Sequence, residues 1–122
     1  MDVLSADMGI SSIHAFTTLR SQGFSDAPFC SLNFGDHVGD DPLAVKLNRD
    51  SLRQVLPGQA ATRWLQQVHG TDVAAAHALS EGEVPVADAA WTNQPGLALA
   101  VMTADCLPIV LAGVRGDWVA VV

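Results

Sequence analysis

The sequence places a histidine and a cysteine after two apolar segments. His69 follows WLQQV, and Cys106 follows LALAVMT and a short polar stretch. Histidine nitrogen and cysteine sulfur are zinc ligands in proteins, but these two residues are much farther apart than zinc-finger ligands are. Each also has a simpler interpretation, because a strand-end histidine can bond a carbonyl and a cysteine can act as a small apolar side chain. Residue type and spacing alone therefore leave a metal site open without predicting one.

Both residues are predicted to lie where binding sites are commonly built. Alternation along WLQQVHG puts Gln67 and His69 on the same face of a strand. Gly70 ends that strand and leaves room for a ligand near the backbone. LALAVMT has the composition of a buried strand, and polar groups that follow such a strand lie at the rim of a pocket. Thr103, Asp105 and Cys106 would then lie at the rim of a pocket, and the alternative for Asp105 is a role as a turn-forming residue only.

One clear helix is predicted over DPLAVKLNRDSLRQVLPG. Asp41 can cap this helix, Pro42 fits its first turn, and Pro57-Gly58 ends it. Its buried side is marked by Val45, Leu52, Val55 and Leu56. Asn48 is predicted to lie near the edge of that side, where a polar group can reach a neighbouring pocket.

The remaining segments predict a layered fold rich in strands. IHAFTT indicates a first strand, and RSQGFSDAPFCSLNFGDHVGDD is a long loop rich in turn-forming residues. Six later segments read as strands: RWLQQVHG, DVAAAHAL, VADAAWT, LALAVMT, LPIVLAG and DWVAVV. A tight turn over 113–117 predicts a hairpin between the last two. We expect an α/β (α+β layered) fold with a mixed sheet and flanking helices, in a single domain over 1–122 whose last strand is cut short.

Composition and charge narrow the classes of partner. The formal net charge is −7 with only six Lys and Arg residues, and no basic cluster is present to bind a phosphate backbone. No apolar run has the roughly 18 residues of a membrane span, and the N-terminus lacks a secretory pattern. We therefore expect a cytoplasmic protein with free thiols that binds neither nucleic acid nor membrane. Arg20 and Arg49 remain candidates for holding a small anion such as phosphate.

A resemblance to a known family rests on several motifs taken in order. FTTLRSQGFS, SLNFGDHVGDDPLAVKLNRDSL, WLQQVHGTDV, ADAAWTNQPGLALAVMTADCLPIVL and WVAVV resemble the N-terminal half of the laccase-domain family, over about residues 13 to 122. Its members were once called multi-copper polyphenol oxidoreductases and are now described as purine nucleoside phosphorylases. The resemblance implies a fold like that of the cytotoxic necrotizing factor catalytic domain.

The resemblance also implies a metal held by two histidines and one cysteine. The histidine of the QVHG motif maps to His69 and the cysteine of the ADC motif to Cys106, so these two side chains should converge at one pocket. The third ligand normally follows the VAVV strand in a His-Ala-Gly-Trp-Arg-Gly motif, and no residue up to Val122 fills that role. Zinc is the expected metal, and copper is the alternative.

Further site residues follow from the same resemblance and from the chemistry it implies. Asp88 and Asp105 are candidate proton carriers. The expected substrate-binding residues are Asn33, Arg49, Gln67, Arg20 and Thr92. One loop departs from the family pattern, because Gln22 stands where the family has a glycine, which puts main-chain substrate contacts of that loop in doubt.

The function implied is a metal-dependent purine nucleoside phosphorylase with adenosine deaminase activity, whose partners are a purine nucleoside and phosphate. Three alternatives remain open. The first is a laccase-like copper oxidoreductase. The second is an amidase that edits peptidoglycan precursors with Cys106 as nucleophile and His69 as base. The third is a metal-binding domain without catalysis.

Overall fold

The computed structural model describes all residues from 1 to 122, and the chain divides into two compact units. The first comprises Met1–Ala6 and Phe16–Gln59, and the second comprises Asp7–Ala15 and Ala60–Val122. The single-domain boundary of 1–122 stays a prediction. No helix combines the length and the apolar character that crossing a membrane requires.

Eight short strands and one α-helix make up the regular structure. In chain order they are β1 (Val3–Ala6), β2 (Ala15–Thr18), α1 (Pro42–Val55), β3 (Ala61–Arg63), β4 (Val73–Ala75), β5 (Ala89–Thr92), β6 (Leu97–Leu99), β7 (Val110–Ala112) and β8 (Val119–Val121). β1 and β2 form a two-stranded sheet. Between β2 and α1 the chain has no regular element, which confirms the predicted long loop.

The helix α1 confirms the prediction made from its capping residues. The Asp41 carboxylate accepts a hydrogen bond from the Leu43 N–H at 3.0 Å, and Pro42 occupies the first turn, where its missing N–H costs nothing. The helix ends at Val55, shortly before Pro57. The cap residue and the two prolines were therefore sufficient to predict both ends of the helix.

The buried face of α1 agrees with the predicted one only at Val45 and Leu52. The fully buried residues are Ala44, Val45, Asn48 and Leu52. Val55 shares this face by periodicity but is 46% exposed, because it is the last helical residue and the packed part of the face ends one turn earlier. Asn48, predicted near the edge, lies at the centre with 0% exposure.

The second unit contains a four-stranded mixed sheet in the order β4-β5-β8-β7. β4 and β5 are parallel, whereas β8 is antiparallel to both β5 and β7. A parallel pair of β3 and β6 forms a separate sheet. The buried core consists of Leu65, Ala87, Ala90 and Val121. This arrangement confirms the mixed α/β fold class and the hairpin predicted between the last two strands.

Several predicted strands are shorter than their apolar segments. From RWLQQVHG only Arg63 belongs to a strand, and the rest contributes one isolated bridge between Gln66 and Val86. His77, predicted in a strand, lies in one turn of 3-10 helix over Ala76–Ala78. β1 was not predicted at all. Apolar content did not indicate burial in every segment, since Leu107, Ile109 and Leu111 of LPIVLAG are exposed, and strand pairing depends on partners elsewhere in the chain.

Candidate functional site

A pair of hydrogen bonds joins the segment that carries His69 to the segment that carries Cys106. The Gln67 side-chain N–H donates to the Met102 carbonyl at 3.0 Å, and the Met102 N–H donates to Gln67 Oε1 at 2.7 Å. Both atoms of the amide are therefore engaged, as a backbone amide would be in a strand pair. His69 is two residues past Gln67, and the Thr103–Cys106 stretch directly follows Met102.

The Asp88 carboxylate binds three consecutive backbone N–H groups of the same loop. The N–H of Val68 lies 3.1 Å from Oδ1, that of His69 lies 2.8 Å from Oδ1, and that of Gly70 lies 2.7 Å from Oδ2. These bonds favour the ionised form. Bonding from the Gly70 N–H, followed by that from Val68 and His69, lowers the pKa of the Asp88 carboxyl below its ordinary value.

His69 has a left-handed backbone, which strand alternation does not predict. Its φ is +57°, a conformation that costs energy in any residue but glycine. Leu65 is buried, Gln66 is exposed and Gln67 is partly buried, so the predicted alternation holds as far as Gln67. At His69 the backbone turns, and this residue is exposed. The direction of the His69 side chain is therefore set by the conformation of the loop and not by the alternation of a strand.

Cys106 is a free, exposed cysteine in a bend after β6. Its sulfur lies 3.9 Å from Asp105 Oδ1, and Asp105 is also exposed. The thiol and the carboxylate are thus neighbours at the surface of the second unit.

The donor chemistry of His69 and Cys106 fits zinc, and the Gln67–Met102 bonds hold the two backbone segments together. Within this chain no group of three or more His, Cys, Asp or Glu side chains is arranged to hold a metal ion. The two residues therefore fit as part of a ligand set. That they converge on one metal stays a prediction.

Thr92, a predicted substrate-binding residue, lies in the core of the second unit. It is 2% exposed, and its hydroxyl accepts the N–H of Gln94 at 3.1 Å. The hydroxyl fixes the turn that follows β5. A substrate contact of Thr92 stays a prediction.

In the first unit, Arg49 and Asn33 organise the loop before α1. The Arg49 guanidinium donates to the Phe34 carbonyl at 3.0 and 2.8 Å and lies 3.3 Å from the Asp36 carboxylate. The Asn33 amide donates to the Gly35 carbonyl at 3.1 Å and to the Asp40 carboxylate at 2.9 Å. The hydrogen bond from the Asn33 side chain lowers the pKa of Asp40.

Arg20 makes a similar contact in another part of that loop. Its guanidinium donates twice to the Cys30 carbonyl, at 3.2 and 3.0 Å. The residue is exposed. Like Arg49, it braces the loop main chain in this structure.

Asn48 is the residue whose importance was underestimated from the sequence. Its Oδ1 accepts the Phe24 N–H at 2.8 Å, and its amide nitrogen lies within hydrogen-bond distance of three oxygens of the loop. These are Ser25 Oγ at 3.0 Å, the Ser31 carbonyl at 3.3 Å and the Asn33 carbonyl at 2.7 Å. The sequence feature that could have indicated this role is a polar residue at the centre of an apolar helical stripe.

Comparisons with known proteins identify the family. The profile of the family described as multi-copper polyphenol oxidoreductase laccase matches residues 14–122. A purine nucleoside phosphorylase of Pseudomonas aeruginosa is 46% identical over 108 residues, covering 88% of this chain and 43% of its own length. A purine nucleoside phosphorylase of Haemophilus influenzae is 44% identical over 109 residues, covering 89% of this chain and 44% of its own length.

A solved structure from Neisseria meningitidis supports the fold. It superposes with a TM-score of 0.90 at 38% identity and covers 99% of this chain and 49% of its own length. The mixed α/β fold is thus shared with that protein. The chain belongs to the multi-copper polyphenol oxidoreductase laccase family, as the quoted motifs predicted. It spans slightly less than half the length of these relatives.

Proposed function

We propose that this chain supplies part of the active site of a metal-dependent purine nucleoside phosphorylase that also deaminates adenosine. The observation that carries the proposal is the Gln67–Met102 hydrogen-bond pair, which ties together the segments bearing His69 and Cys106. The names of the relatives support the phosphorylase part. The family description supports a metal.

In this proposal His69 and Cys106 are two of the metal ligands. Their imidazole and thiolate donors suit zinc, and the same donors also accept copper. When bound, zinc in such a site acts as a Lewis acid and activates water at neutral pH. The protein's own task is to hold both donors in place, which falls to the Gln67 amide and to the main chain around His69.

Asp105 is the better of the two candidate proton carriers. Deamination requires a group that moves a proton to the departing amine nitrogen. Asp105 is exposed beside Cys106, whereas both oxygens of Asp88 already accept main-chain N–H groups. The lowered pKa of Asp88 also makes it a weak base and a poorly populated acid near neutral pH.

Phosphorolysis requires a cation for the attacking phosphate, and we assign this role to Arg49 or Arg20. Guanidinium groups bind phosphate oxygens in a bidentate manner. Arg49 is already paired with Asp36, so phosphate would compete with that carboxylate. Asn33 in the first unit, and Gln67 and Thr92 in the second, stay predicted substrate-binding residues.

The test is an assay of the full-length protein with adenosine and inosine, with and without phosphate. We expect phosphate-dependent release of the free base and phosphate-independent conversion of adenosine to inosine. Cys106→Ser should lose bound metal and deamination together, whereas Arg49→Ala should keep the metal and lose phosphorolysis. His14→Ala is the control for loss of a histidine, because His14 is exposed and outside the proposed site.

Three results would contradict the proposal. One is activity that survives complete removal of the metal by a chelator. Another is a substrate adduct trapped on Cys106, which would indicate the amidase chemistry. The third is oxygen consumption with a phenol in the absence of any nucleoside turnover, which would favour the oxidoreductase named in the family description.

A further inference from the structure

We propose that Asp88 is a positioning residue, which orients His69 for its ligand by binding the main chain of the loop that carries it. The inference rests on the proposed function in one respect, namely that His69 is a metal ligand. It assigns to Asp88 a task different from proton transfer.

The first argument is the geometry of the loop. Three successive N–H groups, from Val68 to Gly70, point at one carboxylate. Successive N–H groups around a left-handed residue form a concave anion site, and an aspartate side chain fills it here. His69 is the left-handed residue at the centre of this arrangement. The carboxylate thus stabilises the unusual conformation of the candidate ligand itself.

The second argument is that Asp88 is fixed to the most buried part of the second unit. It directly follows Ala87, a core residue, and directly precedes β5. Its own N–H donates to the Asp72 carbonyl at 3.2 Å. Because hydrogen bonds to an ionised acceptor are roughly twice as strong as neutral ones, the loop is held firmly to this strand.

The third argument is that His69 lies between two anchors. On one side the Gln67 amide is bonded to Met102, and on the other side Gly70 is bonded to Asp88. A Cβ atom added at Gly70 would meet Asp88 Oδ2 at 3.3 Å, so the carboxylate is closely packed against this residue. A shift of the carboxylate would therefore move the backbone from which the imidazole projects.

The consequence for metal binding follows from how ligands are oriented. Residues that hold a metal ligand in place typically contribute about 10-fold to 100-fold to metal affinity. Here the support acts through the main chain of His69. Removing the Asp88 carboxylate should leave the His69 imidazole present but poorly oriented for metal binding.

The experiment measures zinc affinity of the full-length protein by competition with a chromophoric chelator. The variants are Asp88→Asn, His69→Ala and the matched control Asp72→Asn. Asp72 is an exposed aspartate of the same loop, so its replacement removes the same charge without removing the three hydrogen bonds. Amide hydrogen exchange of the metal-free protein reports whether Val68, His69 and Gly70 lose protection.

We expect His69→Ala to abolish tight zinc binding, Asp88→Asn to weaken it at least about 10-fold, and Asp72→Asn to match the wild type. Exchange at the three amides should accelerate in Asp88→Asn alone. Equal affinity of Asp88→Asn and Asp72→Asn would overturn the positioning role while leaving the metal site intact. Unchanged affinity in His69→Ala would instead overturn the metal role of His69, and with it the proposed function.

A second variant covers the case in which Asp88→Asn does not fold. Gly70→Ala keeps the carboxylate and adds a Cβ atom 3.3 Å from Asp88 Oδ2, so the carboxylate must shift by a few tenths of an ångström. Faster amide exchange at Val68 to Gly70 together with weaker zinc binding in the folded Gly70→Ala protein supports the proposal. Faster exchange at these amides with wild-type zinc affinity contradicts it.

Discussion

Two loops in this chain are each bound by a polar side chain that contacts several main-chain groups, but the two side chains differ in charge and burial. In the first unit the loop before α1 is bound by Asn48, a neutral amide with 0% exposure. In the second unit the loop carrying His69 is bound by Asp88, a partly exposed carboxylate. Both side chains satisfy main-chain groups that no helix or strand pairs.

The difference follows from the cost of burying charge. A carboxylate buried without a counter-charge would be expensive, whereas an amide can be buried if its donors and acceptor are satisfied. Asn48 meets that condition with both loop carbonyls and a loop N–H. Asp88 accepts only N–H groups and keeps partial access to water. The contacts of Asn48 are therefore independent of pH, whereas those of Asp88 depend on its charge.

Replacement of Asn48 should give the largest effect on stability. Asn48→Ala leaves the Phe24 N–H and the Asn33 carbonyl without their partner inside the first unit, so we expect a loss of about 2 to 4 kcal/mol in the free energy of unfolding. Urea denaturation of the full-length protein measures this loss. Gln54→Ala, at an exposed position of the same helix, should change stability little. A similar small effect in both variants would contradict the role of Asn48.

Replacement of Gln67 should have an intermediate effect. Gln67→Glu keeps the shape, but a carboxylate cannot donate to the Met102 carbonyl, so we expect a loss of about 1 kcal/mol or more. Gln66→Glu is the matched control, because Gln66 is exposed and next in sequence. Urea denaturation at neutral pH compares the two. Equal stabilities would show that the amide does not tie the two segments together.

The charge on Asp88 predicts a dependence on pH that Asn48 lacks. A carboxyl whose pKa is lowered by folding stabilises the fold fully above its ordinary value of 3.8 and loses that contribution as pH falls through the lowered pKa. The pKa of Asp40 is lowered as well, chiefly by the Asn33 side chain, and contributes in the same direction. Stability should therefore fall below about pH 4.

Denaturation curves between pH 2 and 6 test this prediction. The loss at low pH should be smaller in Asp88→Asn and in Asp40→Asn than in the wild type, because each variant removes one group that must be protonated. In Asn48→Ala the shape of the pH dependence should be retained. An unaltered acid slope in Asp88→Asn would mean that its hydrogen bonds contribute nothing to folding.

The smallest expected effect concerns Gln22, which stands where the family pattern has a glycine. Its φ is +65°, so the loop keeps a backbone conformation that favours glycine. Gln22→Gly should relieve that strain but lose the bond from the Gln22 amide to Asp2, at 2.8 Å, which leaves a net gain of about 0.5 kcal/mol. Thermal unfolding measures it, with Ser21→Gly as the neighbouring control. Destabilisation by Gln22→Gly would show that the bond to Asp2 outweighs the strain.

The parts of the fold that the sequence predicts are those with local signals. Asp41 and Pro42 define the start of α1 within a few residues of chain, and the turn over 113–117 defines the β7–β8 hairpin. Strand lengths were not predictable, because pairing of Gln66 with Val86 depends on a segment far along the chain. An apolar run favours a strand, but it does not determine which of its residues find a partner.

The candidate site likewise combines residues that sequence motifs indicate with contacts between distant segments that no local pattern indicates. His69 and Cys106 were identified through motif resemblance, since spacing alone predicts no metal. The partner of Gln67 lies 35 residues away and that of Gly70 lies 18 residues away, so neither contact leaves a local pattern. The helical pattern predicts Asn48 near the edge of the buried stripe, where a polar group can reach a neighbouring pocket. Only the packed loop explains why an amide lies at the centre.

The central claim is that His69 and Cys106 bind the same metal ion. Zinc X-ray absorption spectroscopy of the full-length protein tests it directly, since sulfur and nitrogen ligands give shells at about 2.3 Å and about 2.0 to 2.1 Å. We predict one sulfur and at least one histidine nitrogen in the wild type, and loss of this bound zinc in both Cys106→Ser and His69→Ala. A wild-type zinc site without sulfur, or a His69→Ala protein that keeps zinc with an unchanged spectrum, would contradict the account.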